Sequence, residues 1–463
     1  MKTIVPQEFL NKYRNILKED FNNFYNYCFK PLKKSIYVNT NKISVKKFKE
    51  YTLDLKWQLE PIPWTKAGFW IERDDRNQAL GKHFLHTAGY FYIQEASSML
   101  PPEILKPQKG DFVLDMAAAP GSKTVQMASL MKNQGIIVAN EPELKRLKAL
   151  VTNLDRMGVQ NVLLTKKEGQ VFSRYFPNFF DKILLDAPCS GEGTIRKDRQ
   201  ALENWSQKKV EVMVKLQKVL MFYAFKSLKA GGEMVYSTCT LSYEENEEVV
   251  QNLLEKFPGN ACIQKIKVLP QILIKKYHQE LAGTLRVWPH LSNTEGFFVA
   301  KIKKQFPTEE SEILIGRRRS PFKAISKKTW QELHNYLFRS FNIKLENKDG
   351  FYERNHEIWL RPTEAEKIAS RIILERQGVL LGKNYSGVIK LTSEGALFFA
   401  ENFNPTKGVI DLSEEEVQDF LSGRDFYRAA SQDVLCRYKN IFIGYGKGMG
   451  NKIKNKLPRH LVT

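Results

Sequence analysis

The sequence predicts an α/β fold, a parallel sheet covered by helices on both faces, with smaller α+β regions on either side. Three observations carry this. Between residues 86 and 305, apolar runs of strand length alternate with longer helical patterns. The chain has 463 residues, more than one ordinary hydrophobic core accommodates, so two to four domains are expected. The chemically reactive residues fall at the carboxyl ends of the apolar runs, which is where such sheets bind ligands.

Taken in order, residues 1–85 begin with a helical pattern, PQEFLNKYRNILKEDFNNFYNYC. A strand-like SIYVNTNKI and a basic helix, SVKKFKEY, follow. Lys33, Lys34, Lys42, Lys46, Lys47 and Lys49 make this region positive, and Trp57, Trp64 and Trp70 supply bulk for a small core. The central alternation reads DFVLDM then SKTVQMASLM; IIVANE then PELKRLKALVTNL; NVLLTK; KILLDA then QKKVEVMVKLQKVLMFYAFKSL; EMVYST then ENEEVVQNLLEKF; and last GFFVAKIKK. QFPTEESEILIGRRRSP, bounded by prolines and ending in Arg317, Arg318 and Arg319, reads as a linker. Residues 306–390 and 391–463 then form two further units of α+β type: helical TWQELHNYLFRSF, strand-like EIWLRP, helical EEEVQDFL and short strands such as YKNIFIGYGK.

The formal charge is +21, from 72 Lys and Arg against 51 Asp and Glu. Such a surplus favours polyanions, because each neutralised phosphate releases condensed counterions, so nucleic acid is the expected partner. No apolar run is long enough to cross a bilayer, and the N-terminus lacks the pattern of a secretory signal. The five cysteines, Cys28, Cys189, Cys239, Cys262 and Cys436, are odd in number, widely spaced and without a CxxC. That disfavours a disulfide framework or structural zinc and fits a reducing cytoplasm. The seven histidines form no paired cluster, so no metal is expected.

Four stretches hold the chemistry. In VLDMAAAPGSKT an apolar strand runs into Asp115, and a small-residue turn leads into a helix opening near Ser122. Small residues there let a ligand approach the backbone, and the helix N-terminus offers free amides. One strand later comes Glu141, and after the third run come Thr165, Lys166, Lys167 and Glu168. An acid at the end of a second strand commonly holds ribose hydroxyls. The fourth strand gives ILLDAPCSGEG, with Asp186 and Cys189 at its end, and a later one gives MVYSTCTLSYEENE, with Cys239. A cysteine is usually an inert small hydrophobe, the role expected of Cys28, Cys262 and Cys436. Two at strand ends beside a cofactor turn suggest more.

These motifs resemble the RsmB/NOP/Sun family of RNA cytosine-5 methyltransferases. AAAPGSK is similar to its first cofactor motif, DAPCSG to its fourth and STCTLSYEENE to its sixth. YIQEASSMLPP resembles the segment entering the catalytic domain, and VWPHLSNTEGFFVAKIKK its last hairpin. GEGTIRKD and the C-terminal RYKNIFIGYGKGMGNKIKNKLPRHL resemble most the RsmF branch, which modifies small-subunit (16S) ribosomal RNA. The resemblance implies a Rossmann-like class I methyltransferase domain, a small N-terminal α+β domain and a PUA-like C-terminal region, both RNA-binding. It implies S-adenosylmethionine as cofactor, held by Ala117, Ala118, Ala119, Pro120, Gly121, Ser122, Lys123, Glu141, Glu168 and Asp186. It implies Cys239 as nucleophile and Cys189 as the cysteine that releases the product. The family often has Asp where Glu168 stands, so the adenine side of the site is where a departure is expected.

The reaction needs such groups. Cytosine C5 is a poor nucleophile until a thiolate adds to C6 and makes the ring an enamine. Asp186 would hold N3 and the exocyclic amine, protonated or sharing a proton with the ring. The adduct must then lose its C5 proton and expel Cys239, which a second thiol can assist. Lys123 is the candidate basic neighbour that activates a thiol. The base must be flipped out or lie in a loop, with Lys447, Lys452, Lys454, Lys456 and Arg459 of the tail, near Tyr445 and with no acid close in sequence, holding RNA phosphates.

Other readings fit less well. A dinucleotide dehydrogenase wants GxGxxG, and an adenine amino-methyltransferase an Asn/Asp-Pro-Pro-aromatic motif where DAPCSG stands. A transfer-RNA cytosine-5 methyltransferase and a weakly active ribosome-assembly factor are the alternatives, the second disfavoured by retention of both cysteines. A monomer is expected.

Overall fold

The computed structural model describes residues 5–74, 79–266, 277, 281–309 and 320–462. The central sheet has, in spatial order, strands Ala261–Ile263, Phe297–Lys304, Leu228–Thr238, Phe180–Asp186, Phe112–Asp115, Ile136–Asn140, Val162–Thr165 and Arg376–Gln377, with Leu285–Val287 also pairing on Phe297–Lys304. The five strands between Val162 and Thr238 in this order pair in parallel, while all outer pairings are antiparallel. Phe112–Asp115 lies between the second and fourth strands of the alternation, so the chain reverses its winding direction there, the position at which such sheets form a ligand crevice beyond the strand ends.

Period-2 alternation assigns the two faces. Val113, Ile137, Ala139, Leu184 and Val235 pack with Leu147, Leu150 and Leu154 of the helix Leu144–Met157. Their neighbours Leu114, Ile136, Val138, Ile183 and Met234 face Met221 and Phe225 of Gln207–Ser227 and Val250 and Leu253 of Glu247–Lys256. Strands buried on both faces read as continuous apolar runs, which is why the sequence located them.

The N-terminal region forms helices Gln7–Leu17 and Phe21–Cys28, then an antiparallel sheet in which Ser35–Val38 pairs with Gly68–Glu72 and with Phe91–Ile93. This last strand lies past residue 85, where the sequence reading ended the region; its register Ile36↔Ile93 ties it to the N-terminal sheet instead. Trp57 and Trp64 are buried, as expected of core bulk. Asn39 Nδ2 donates to the carbonyls of Gly89 and Met157, at 2.8 and 2.7 Å, stapling this sheet to the central domain.

The C-terminal part contains the expected helices Lys327–Phe341 and Glu414–Leu421 and strands Glu357–Leu360 and Ile441–Gly448. Sheets of five and four strands share one core, since Leu435 and Tyr445 pack among Leu337, Phe341 and Phe399. The linker expected around residues 306–321, with Arg317, Arg318 and Arg319, lies for the most part outside the described residues. The two-residue strand Arg376–Gln377 covers the exposed edge of Val162–Thr165, reinforced by an Arg376–Asp155 ion pair. No helix among the described residues is long and apolar enough to cross a membrane. None of the five cysteines is in a disulfide, and no group of three metal-ligating side chains occurs among the described residues.

Candidate active site

The first turn is built around Asp115 and Gly121. Gly121 has φ +108°, a conformation that favours glycine, and a Cβ there would stand 2.8 Å from Leu150 Cδ1. It is the N-cap of the helix Ser122–Leu130 and offers no side chain to the helix's first amides, which lack partners within the helix. The loop is pinned from behind: Arg146 Nη2 donates to the Ala119 carbonyl and Asn153 Nδ2 to that of Pro120, each at 2.9 Å. Ala118 and Ala119 are buried, Ala117 and Ser122 half-buried, and Pro120 exposed. Asp115 is 1% exposed, and burial pushes its pKa up to about 7, against the hydrogen bond from Thr124 Oγ1 at 2.6 Å.

Glu141 ends the second strand fully buried. Its Oε1 accepts the Glu143 amide at 3.0 Å, while Oε2, 3.3 Å from Arg146 Nη1, accepts no hydrogen bond. A buried carboxylate oxygen left open in this way suits a hydroxyl donor. Glu168 sits on the loop after the third strand with its side chain exposed. Asn140, which the motifs did not single out, holds that loop by accepting the Lys167 amide at 2.9 Å and donating to the Lys167 carbonyl at 2.8 Å.

The fourth and fifth strands bring four predicted residues together. Lys123 Nζ lies 2.6 Å from Asp186 Oδ2. Asp186 Oδ1 accepts the Ser237 hydroxyl at 2.7 Å; the two residues are partners in the parallel register. Ser237 escaped the sequence reading although it stands two residues before Cys239, and that strand-period spacing was the available signal. Burial opposes the charge on Lys123, but Asp186, Cys239 and Asp115 outweigh it and raise the pKa above the ordinary lysine value. Lys123 thus remains an ammonium, 5.6 Å from the centroid of Phe297.

Cys189 Sγ and Cys239 Sγ are 3.2 Å apart. The hydrogen bond with Cys239, followed by burial, raises the Cys189 pKa well above that of a free thiol, so Cys189 holds its proton. The two loops are laced together: Ser190 Oγ meets Thr240 Oγ1 at 2.9 Å, and the Gly193 amide donates to the Cys239 carbonyl at 2.9 Å. Glycine is required at 193, where a Cβ would fall 2.1 Å from the Gly296 carbonyl oxygen. Cys28 and Cys436 are buried in apolar surroundings with pKa values pushed up to about 12, chiefly by burial, as unreactive cysteines should be.

Residues 102–303 match the family described as 16S rRNA methyltransferase RsmB/F. Residues 5–96 match the N-terminal domain of 16S rRNA methyltransferase RsmF, and 407–463 the methyltransferase RsmF PUA domain. The ribosomal RNA small subunit methyltransferase F of Vibrio vulnificus is 40% identical over 464 residues, 99% of this chain and 98% of that one. The chain belongs to the RsmB/F family of RNA methyltransferases. The family member of the same description from Shewanella piezotolerans is 42% identical over 467 residues, 98% of this chain and 97% of that one. Among solved structures, NSun6 from Pyrococcus horikoshii with SFG superposes with a TM-score of 0.57 at 27% identity, covering 65% of this chain and 98% of that one. A methyltransferase homolog protein from the same organism gives 0.56 at 36% identity, covering 65% and 95%. Membership in the RsmB/F family agrees with the α/β methyltransferase domain, the N-terminal domain and the C-terminal PUA domain read from the sequence.

Proposed function

We propose that this RsmB/F-family enzyme methylates C5 of cytosine in small-subunit ribosomal RNA, using S-adenosylmethionine. The observation that carries the reading is the pair of sulfurs 3.2 Å apart at the end of a sheet, beside the Lys123–Asp186 pair. Likeness to the small-subunit enzymes of Vibrio and Shewanella over the whole chain supports the substrate, and the solved relative holding SFG supports the cofactor.

The cofactor suits the residues present. The turn Ala117–Lys123 and its helix N-terminus would take the amino-acid portion, the open Glu141 Oε2 the ribose hydroxyls, and Glu168 with the edge at Asp186 the adenine side. When bound, S-adenosylmethionine supplies an electrophilic methyl group on its sulfonium.

The chain's own residues do the rest. Cys239 gives up its thiol proton and adds to C6; the C5=C6 pair shifts to C4–C5, the C4=N3 pair moves to N3, and N3 takes the proton the thiol released. Asp186, held by Lys123 and Ser237, relays that proton to N3 or shares it with the ring and so stabilises the adduct. C5 is then an enamine carbon able to accept the methyl group. While Cys239 is free, its hydrogen bond is the first cause of the raised Cys189 pKa. Once its sulfur is bonded to carbon, that cause of the raised Cys189 pKa is removed. Cys189, its own proton released to solvent, then takes the C5 proton; the C–H pair forms C5=C6, the C6–S pair leaves with Cys239, and N3 gives back the proton it took.

The basic N-terminal and C-terminal regions hold the flanking RNA by its phosphates. Cysteines outside any disulfide and a ribosomal substrate support a cytoplasmic location, and that one chain supplies all four groups supports a monomer. The test is to map 5-methylcytosine in ribosomal and transfer RNA from cells with and without the protein. Loss of a small-subunit cytosine methyl supports the reading; loss from transfer RNA alone overturns the substrate assignment.

A further inference from the structure

Glu192 is three residues beyond Cys189 and 1% exposed. Its carboxylate accepts the Tyr13 hydroxyl, the Trp205 indole N–H and the Ser242 hydroxyl, the last at 2.7 Å. Lys12 Nζ lies 4.0 Å away and donates to Ser242 Oγ at 2.9 Å. Tyr13 belongs to the first N-terminal helix, and Ser242 is three residues past Cys239. One buried carboxylate therefore joins the loop of each cysteine to an element outside the catalytic domain.

The surroundings are aromatic. Phe9, Tyr13, Phe24, Trp205 and Trp288 form one buried cluster. Burying a carboxylate there carries a desolvation cost that an apolar side chain of similar volume avoids, so packing alone gives no reason for an acid at this place. What the acid adds is direction: three donors from three segments converge on two oxygens. The Ser190–Thr240 and Gly193–Cys239 contacts, with the Ser190 amide on Glu245 Oε2 at 2.9 Å, complete the lacing between the loops.

We infer that Glu192 is a positioning residue, anchored by Tyr13, that keeps the Cys189 and Cys239 loops in register for release of the methylated base. The inference rests on the proposed division of labour between the cysteines. Attack on C6 needs one sulfur in place. Release needs both at once, with Cys189 at the C5 proton while Cys239 is bonded to C6. Loosening one loop against the other therefore slows release more than attack, since an error of an ångström in a proton-transfer geometry costs orders of magnitude. A role confined to stability would slow both steps alike.

The experiment uses the full chain, labelled S-adenosylmethionine and small-subunit ribosomal RNA. It reads the fraction of methylated RNA still protein-linked on denaturing gels at steady state. Tyr13→Phe removes one donor and leaves the carboxylate with two; Glu192→Gln keeps the volume and removes the charge. Both should raise the linked fraction, Glu192→Gln by about tenfold over the wild type, with cofactor affinity unaltered. A linked fraction equal to that of the wild type in Tyr13→Phe overturns the inference, whatever happens to turnover and even if Glu192→Gln fails to fold. Cys189→Ala serves as reference: if it accumulates no linked RNA, the assignment of the two cysteines itself falls, and the inference with it.

Discussion

Cys189 and Cys239 lie fifty residues apart in sequence, and their sulfurs meet at 3.2 Å because the neighbouring strands Phe180–Asp186 and Leu228–Thr238 end side by side. That contact and burial hold the Cys189 thiol well above the ordinary thiol range.

The proposed division of labour between them makes the two cysteine variants differ in kind. Cys239→Ala should bind cofactor normally and transfer no methyl group. Cys189→Ala should accumulate a protein–RNA species that survives denaturation, and the double variant should form none. An adduct trapped in Cys239→Ala but absent from Cys189→Ala would reverse the assignment.

The Lys123–Asp186–Ser237 chain should matter in order of charge. Lys123→Met leaves Asp186 beside the crevice without its counter-ion, and methyl transfer should fall by at least about a hundredfold. Ser237→Ala removes one hydrogen bond to a carboxylate and should cost about tenfold. Single-turnover rates at saturating cofactor measure both; a Lys123→Met rate within a factor of a few of the wild type would remove Lys123 from the mechanism.

Glu141→Gln should weaken S-adenosylmethionine binding by about tenfold while leaving RNA affinity alone, because a buried acceptor becomes partly a donor. Calorimetric titration of the cofactor checks this. Arg146→Ala should weaken binding as well, since Arg146 holds both the Ala119 carbonyl and Glu141.

Asp115 carries a pH signature. Its folded pKa, raised to about 7 by burial, exceeds its unfolded value, so between about pH 4 and 7 the folded state binds more protons than the unfolded one. Stability should therefore decline across that window as pH rises. Asp115→Asn, which cannot ionise, should gain thermal stability relative to the wild type at pH 8 and lose that gain at pH 5. An equal difference in melting temperature at the two pH values would disprove the linkage.

Binding to ribosomal RNA should fall steeply with salt, as the +21 charge requires. Lys447, Lys454 and Arg459 are exposed in the C-terminal unit. Replacing these three with Ala should flatten the logarithmic salt slope by about 2 and leave cofactor affinity unchanged. Lys452 differs from them, because its Nζ pairs with Asp425 at 2.8 Å, a partner distant in sequence that the tail's own composition does not reveal. Point substitutions are preferable to truncation after Phe403, which would strip Leu435 and Tyr445 from the core shared with Phe341 and Phe399.

The sequence by itself determined the alternation of buried strands and helices, the turn at Asp115–Lys123 and both cysteine motifs. Each is a local pattern: an apolar run long enough for a strand, a small-residue turn, a thiol at a strand end. Tertiary structure alone decided which local patterns meet. Ser237 becomes a partner of Asp186 only through the parallel register, and Arg376–Gln377 becomes a strand only against the edge of Val162–Thr165. Two residues carry no periodicity to read, and a hydroxyl at a strand end has many possible neighbours. Glu192 shows the limit most clearly. In sequence it is one acid between two glycines, and its three donors come from residues 13, 205 and 242, so nothing short of the folded chain could assemble them.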